Sequence, residues 1–230
     1  MDLVRANFND RKDEIDLYFE FIDFLDNIEK TENMEKSSYI MYNKDVEKII
    51  RANSLLMLYN LVESTLVTGM EEVYSALKEN NITYSQVRSE IREIWFNYRF
   101  SNAYDRNAHY GTYKKTAEKI ITSIIHNEPL ILDRKATGIS GNLDATSIRD
   151  VCKKHGIQFH TPGNCHGGEK LTQVKDQRNQ LAHGTLSFVE CGRDFTVEDL
   201  HVIKEEVENF LSGFIDSIES YYDNKEYLIK

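Results

Sequence analysis

The stretch "KDQRNQLAHGTLSF", Lys175 to Phe188, sets Arg178, Asn179 and His183 into one short run that stops at Gly184. An arginine presents planar paired donors that match a doubly charged phosphorus centre. An imidazole titrates nearest to neutrality of any side chain and can take or give a proton. Together they suit cutting RNA without a metal. One histidine takes the proton of a ribose 2′-OH, a second protonates the leaving 5′-oxygen, and arginines hold the phosphorane between them. RNA is singled out because only it carries the internal 2′-OH. Asn179 can hold a phosphate oxygen or orient the histidine. Arg178 and His183 are five positions apart, which puts them about 140° apart on an ideal helix. They converge only where the helix unwinds, which Gly184 permits, or where two copies of the run meet across a dimer axis.

The elements that must position this run are helical. Before Gly111 the only glycine is Gly69, and the only prolines are Pro129 and Pro162. So long a stretch without breakers predicts long helices. The first is predicted over Asn9–Lys30, with Ile15, Tyr18, Phe19, Ile22 and Leu25 on one face. The second is predicted over Lys44–Glu79, with a stripe from Val46 and Ile49 through Leu56, Tyr59, Val62, Leu66, Met70 and Val73 to Leu77. A third lies in "SQVRSEIREIWFNYRF" with Ser85 as N-cap. "GTYKKTAEKIITSIIHN" reads as a short helix and "EPLILDRKATGISGN" as a loop or small hairpin. "LDATSIRDVCKKHG" reads as a compact helix stopped by Gly156, and "IQFHTPGNCHGGEK" as a glycine-rich loop. The motif helix turns Leu171, Val174 and Leu181 inward. The last helix starts at "FTVEDL", capped by Thr196 with Asp199 in its first turn. Its seam runs Leu200, Ile203, Val207, Phe210, Phe214, Ile218 and Tyr221. The fold class is all-α: one antiparallel helical bundle over residues 1–230, with an irregular insertion around 101–170.

Hydrophobic residues make up 40% of the 230, enough for one sizeable core. No apolar run is long enough for a membrane span, and the acidic N-terminus is unlike a signal peptide. Three cysteines are a low, odd count that suits a reduced cytoplasm. The net charge of −10 argues against broad phosphate coating. It leaves room for a small arginine site and suggests that target choice depends on a partner or on RNA shape. The acidic clusters Asp13, Glu14, Asp16 and Glu205, Glu206, Glu208 read as solvated faces.

"RNQLAHG" resembles the R-[N/D/H]-x(3–5)-H signature of HEPN (higher eukaryotes and prokaryotes nucleotide-binding) domains. "LLMLYNLVEST", "SGNLDATSIRDV", the helix into "VKDQRNQLAHG" and "SFVECGRDFTVEDL" extend the resemblance to a prokaryotic branch tied to defence and toxin–antitoxin loci. The resemblance implies a four- or five-helix bundle that dimerises through its motif helices. It also implies a metal-independent endoribonuclease, needing no cofactor, with Arg178 and His183 as the catalytic pair beside Asn179. A cognate antitoxin or defence-system partner follows from the same likeness. Some HEPN toxins carry a modifiable tyrosine two residues after the histidine; here that residue is Thr185.

Other residues invite chemistry. Glu63, with Asn60 on the same side of its helix, needs a partner if buried; Arg178 is the candidate. Cys152, His155, His160, Cys165 and His166 are dense, but their spacing fits no closed zinc site. His160 and His166 are instead candidates to touch RNA from a loop near the cleft. Arg106, beside Asn107 and His109 among aromatics, is another RNA-contact candidate, although such a loop also packs well on a bundle. A non-catalytic HEPN interaction module, with the motif structural or vestigial, is the alternative function.

Overall fold

A computed structural model describes residues 1–30, 44–101 and 110–229. Among them are eight α-helices and no strand. They are α1 (Asp2–Lys30), α2 (Lys44–Glu79), α3 (Ser89–Ser101), α4 (Tyr110–Ile125), α5 (Ala145–His155), α6 (Glu169–Ala182), α7 (Phe188–Arg193) and α8 (Val197–Asp223). The charged stretch between α1 and α2 falls mostly outside the described residues, as do Arg106, Asn107 and His109.

α2 is the axis of the fold, with α1, α6, α7 and α8 packed around it. Its bounds are those its sequence predicts. The expected stripe is only part of what it buries. Ala52, Leu55, Leu58 and Leu61 are as inaccessible as Tyr59 and Val62, whereas Val46 and Ile49 at its start are exposed. A helix apolar on most sides belongs at a centre rather than on a surface. α8 crosses it closely: a Cβ on Gly69 would sit 3.1 Å from Ile218 and 3.2 Å from Phe214. The whole predicted seam of α8 is buried, and Thr196 and Asp199 form a capping box at its start.

Three bounds differ from expectation. α1 begins two turns earlier than Asn9, because Val4 and Phe8 also pack inward and Arg5 binds Asp216 and Glu219 of α8. α3 begins at Ser89, and Ser85 caps nothing. Residues 82–87 instead form a turn in which Gln86 accepts the Thr83 N–H, and Val87 bridges to Leu228 before the helix starts. "EPLILDRKATGISGN" makes no hairpin. Pro129 forms an isolated bridge to Thr83, and Arg134–Thr137 is a 3₁₀ turn. The expected irregular insertion therefore carries α4, α5 and two 3₁₀ turns.

The short helix α7 was not foreseen. Six residues carry too little periodicity to show, but Ser187 and Glu190 form a reciprocal capping box. α7 lies against the start of α2 so closely that a Cβ on Gly192 would run into the Lys48 carbonyl. The acidic clusters are not uniformly solvated. Glu206 is buried, and Asp16 and Glu208 pair with Lys12 and Lys204 between α1 and α8.

Candidate active site at the end of the motif helix

α6 starts abruptly. Gly168 precedes it at φ +81, where a Cβ would lie 2.7 Å from Ala145 and Phe210. The buried carboxylate of Glu206 accepts the Lys170 N–H at 2.6 Å, satisfying a free donor of the first turn. Leu171, Val174 and Leu181 face the core as expected.

The next face of α6 holds one loop. Lys175 donates to Asp144 at 2.8 Å, Arg178 Nη1 to the Gly141 carbonyl at 2.9 Å, and Asn179 Nδ2 to Asn142 Oδ1 at 2.7 Å. Positions i, i+3 and i+4 share a helix face, so three bonds clamp residues 141–144 side by side. Asp144 also caps α5 through the Ser147 N–H. Burial raises the pKa of Asp144, but the Lys175 ammonium and the Ser147 N–H outweigh it and hold the carboxyl below its ordinary value.

Arg178 is half-buried. Its guanidinium carbon lies 4.3 Å from the ring centre of Tyr59, a cation–π contact with α2. The Tyr59 hydroxyl accepts the Leu143 N–H at 3.1 Å, so one side chain seats both the arginine and the loop. Asn179 Oδ1 accepts a second bond from Arg178 Nη1 at 2.9 Å. Asn179 therefore fixes the arginine and the loop within the chain; it is not turned toward the histidine.

The helix then ends as its sequence predicts. Gly184 adopts φ +68. Its N–H bonds Leu181 O at 3.2 Å and the Thr185 N–H bonds Gln180 O at 3.0 Å, the paired closure of a Schellman motif. The Thr185 hydroxyl also bonds Gln180 O. His183 is the C-cap residue just past the last helical residue, Ala182, with φ −87 and ψ −4. Its side chain is exposed, and among the described residues its ring has no hydrogen-bond partner. The stop does not swing it toward Arg178: its backbone stays helical and only Gly184 turns left-handed.

The other candidates are placed as follows. Glu63 does not meet Arg178. Arg178 is taken by Tyr59 and the loop, and Glu63, only half-buried, pairs with Arg134 at 3.0 Å. Asn60 is exposed on the same stretch of α2, beside Glu63. His160 is exposed. His166 is exposed too, at φ +40, with Nδ1 3.4 Å from Glu206 at the far end of α6 from His183. The Cys/His-rich segment is dispersed. His155 is 1% exposed; it bonds the Tyr74 hydroxyl at 2.6 Å and the Val151 carbonyl at 2.7 Å, and burial pushes its pKa down to about 4. Cys152 is buried in the core, with its thiol pushed up to about 12, and Cys165 bonds the Pro162 carbonyl. Among the described residues no three His, Cys, Asp or Glu side chains are arranged to hold a metal ion.

Sequence reasoning missed Tyr59 as the seat of the arginine and the partners Asn142, Asp144 and Lys175. Tyr59 was hidden because a buried aromatic in a stripe reads as core. The D-x-x-S run from Asp144 to Ser147 was a legible cap signal.

α6 thus carries the R-N-x-x-x-H run with its arginine seated on the bundle axis and its histidine exposed just past the helix end. The model of the MAE_28990-like HEPN family matches residues 2–227. The chain belongs to the HEPN superfamily. The match spans nearly the whole chain, so the all-α bundle is a HEPN fold, with the residues around 101–170 inside the matched span. No curated protein and no solved structure matches this HEPN chain. Among the described residues, no helix is long and apolar enough to cross a membrane.

Proposed function

We propose that this HEPN protein is a metal-independent endoribonuclease acting as a homodimer, with Arg178 and His183 of both chains forming one site. The placement of His183 supports a composite site. In one chain the histidine and the arginine leave the α6 backbone in different directions, and the histidine is exposed without a partner among the described residues. A two-fold axis near the end of α6 brings two such histidines together, flanked by two seated arginines. One imidazole then takes the 2′-OH proton as the 2′-oxygen attacks phosphorus. The second gives its proton to the departing 5′-oxygen, and the arginines hold the phosphorane charge. The products are a 2′,3′-cyclic phosphate and a 5′-hydroxyl. Asn179 serves as a positioning residue.

The free, buried Cys152, Cys165 and Cys191 suit a reduced cytoplasm. Defence or toxin duty, with an antitoxin or partner protein restraining the enzyme, follows from the HEPN branch resembled.

One observation favours the alternative of a non-catalytic interaction module: Arg178 Nη1 is spent on Gly141 and Asn179 within the fold. The test is cleavage of total RNA in EDTA by the wild type and by His183→Ala. Fragments with 2′,3′-cyclic phosphate ends, absent with the variant, are expected. A folded dimer that leaves RNA intact would point to the interaction module.

A further inference from the structure

α2 carries Tyr59 and Glu63 one turn apart on one side, about 6 Å along its axis. Arg178 lies over the first and Arg134 pairs with the second. Past Glu63 the same side opens into a groove of about 370 Å³, walled by Arg11 of α1 and Arg134 of the 3₁₀ turn. Its floor is Asn60, Ser64 and Thr68, spaced every four residues, with Glu63, paired to Arg134, as the one acidic lining residue and Val67 as the one apolar one. On the central helix of the bundle, this is a polar stripe that leads away from the arginine of the motif.

Both wall arginines keep donors free. Arg134 is 56% exposed and commits one nitrogen to Glu63. Arg11 is exposed and, among the described residues, is the arginine with no hydrogen bond or ion pair. In a chain of net charge −10 carboxylates are plentiful, and the one in this groove, Glu63, is taken by Arg134, so Arg11, left without one beside hydroxyls and an amide, is arranged for an external anion. Guanidinium forks match phosphate oxygens, and hydroxyls and amides match a ribose. A docked protein segment would instead want apolar lining, of which there is one residue.

We infer that this groove binds the single-stranded RNA backbone beside the scissile phosphate. Arg134 and Arg11 hold a flanking phosphate, Asn60, Ser64 and Thr68 meet the adjoining ribose, and Glu63 aims Arg134. Arg178 and Arg134, one turn apart along α2, then follow consecutive stretches of one strand. The inference rests on the ribonuclease reading for its substrate, but its test does not need cleavage.

Binding of a fluorescein-labelled single-stranded oligoribonucleotide is followed by anisotropy across a salt series, in the full chain carrying His183→Ala. Arg134→Gln and Arg11→Gln are each expected to weaken binding several-fold and to reduce the slope of log Kobs against log[salt] by about 0.7, the share of one phosphate contact on a single strand. Arg134→Lys should restore the slope. Glu63→Gln breaks the same ion pair yet leaves the arginine charge, so it should keep the slope; a merely structural pair would make Glu63→Gln and Arg134→Gln fail alike. With His183 intact, Arg134→Gln should raise the half-saturating RNA concentration more than it lowers kcat. Wild-type affinity and slope in both arginine variants would overturn the groove and leave it to an acidic protein segment. RNA binding with this arginine dependence but no cleavage would keep the groove and remove the ribonuclease. No RNA binding at all would remove both.

Discussion

Two helices of this protein stop at a histidine followed by a left-handed glycine, and the two histidines have opposite fates. At the end of α5, His155 is buried, both ring nitrogens are bonded, and Gly156 adopts φ +73. Just past the end of α6, His183 is exposed, its ring unpartnered among the described residues, and Gly184 adopts φ +68. The local signals, "KKHG" and "LAHG", both predict a helix stop, and both make one. What differs is the surroundings. α5 packs its end beneath Tyr74 and Tyr221, whose hydroxyl bonds the His155 carbonyl at 2.8 Å. α6 runs past the edge of the bundle. A helix stop is thus a local property, while the role of the histidine before it is set by what lies across from it.

The largest expected break in this comparison is in activity. On the ribonuclease reading, His183→Ala lowers cleavage by about 10²–10⁴-fold. It leaves the thermal midpoint within about 2 °C, because removing an exposed, unpartnered side chain changes stability little. His155→Ala should do the reverse. It strands the Tyr74 hydroxyl and opens a void, costing about 2–4 kcal/mol and a midpoint fall of roughly 5–10 °C. Cleavage measured well below that midpoint should survive. Loss of cleavage with His155→Ala in a folded protein would mean the buried pair has a role beyond the core.

The pH dependence sharpens the same contrast. His155 is held from its ordinary 6.5 down to about 4, so between these values the unfolded chain binds the proton more readily. Its contribution is complete above pH 6.5 and is lost as pH falls toward 4. Between pH 6.5 and 5 the loss should be about 1–2 kcal/mol, seen as a falling midpoint that His155→Gln flattens. An equal slope in that variant would assign the pH response to other groups.

The smallest test compares the glycines. Gly184→Ala should cost about 1 kcal/mol, from the left-handed backbone alone, since nothing lies near the added Cβ. Gly156→Ala should cost about 1 kcal/mol more. Its Cβ would come 2.8 Å from the Arg88 guanidinium, which bonds the Gly156 and Glu226 carbonyls and Glu90. Equal costs by denaturant unfolding would show that Arg88 moves aside freely.

The legibility of the chain follows the range of each interaction. α2 was readable because a long apolar stripe at helical spacing runs without a breaker between polar stretches, and the seam and cap of α8 were readable because 3.6-residue periodicity is a local property. α7 was not, because a six-residue helix exists only where a capping box and the close approach of α2 hold it. The partner of Glu63 was misread for the same reason: a half-buried carboxylate takes whichever cation the fold brings, and the 3₁₀ turn brought Arg134. Asn179, read as a phosphate or histidine ligand, is tied to Asn142 across the loop.

The sequence by itself determined the helical class, the central helix, the stop at Gly184 and the resemblance carried by Arg178, Asn179 and His183. Tertiary structure alone decided that Arg178 sits on Tyr59, that three residues of α6 clamp the loop before α5, that His155 is core and that His183 is free. Helix, cap and turn signals act over a few residues and are written in their order. A side chain's partner, and therefore its burial and chemistry, lies tens of residues away and is fixed only once the bundle closes.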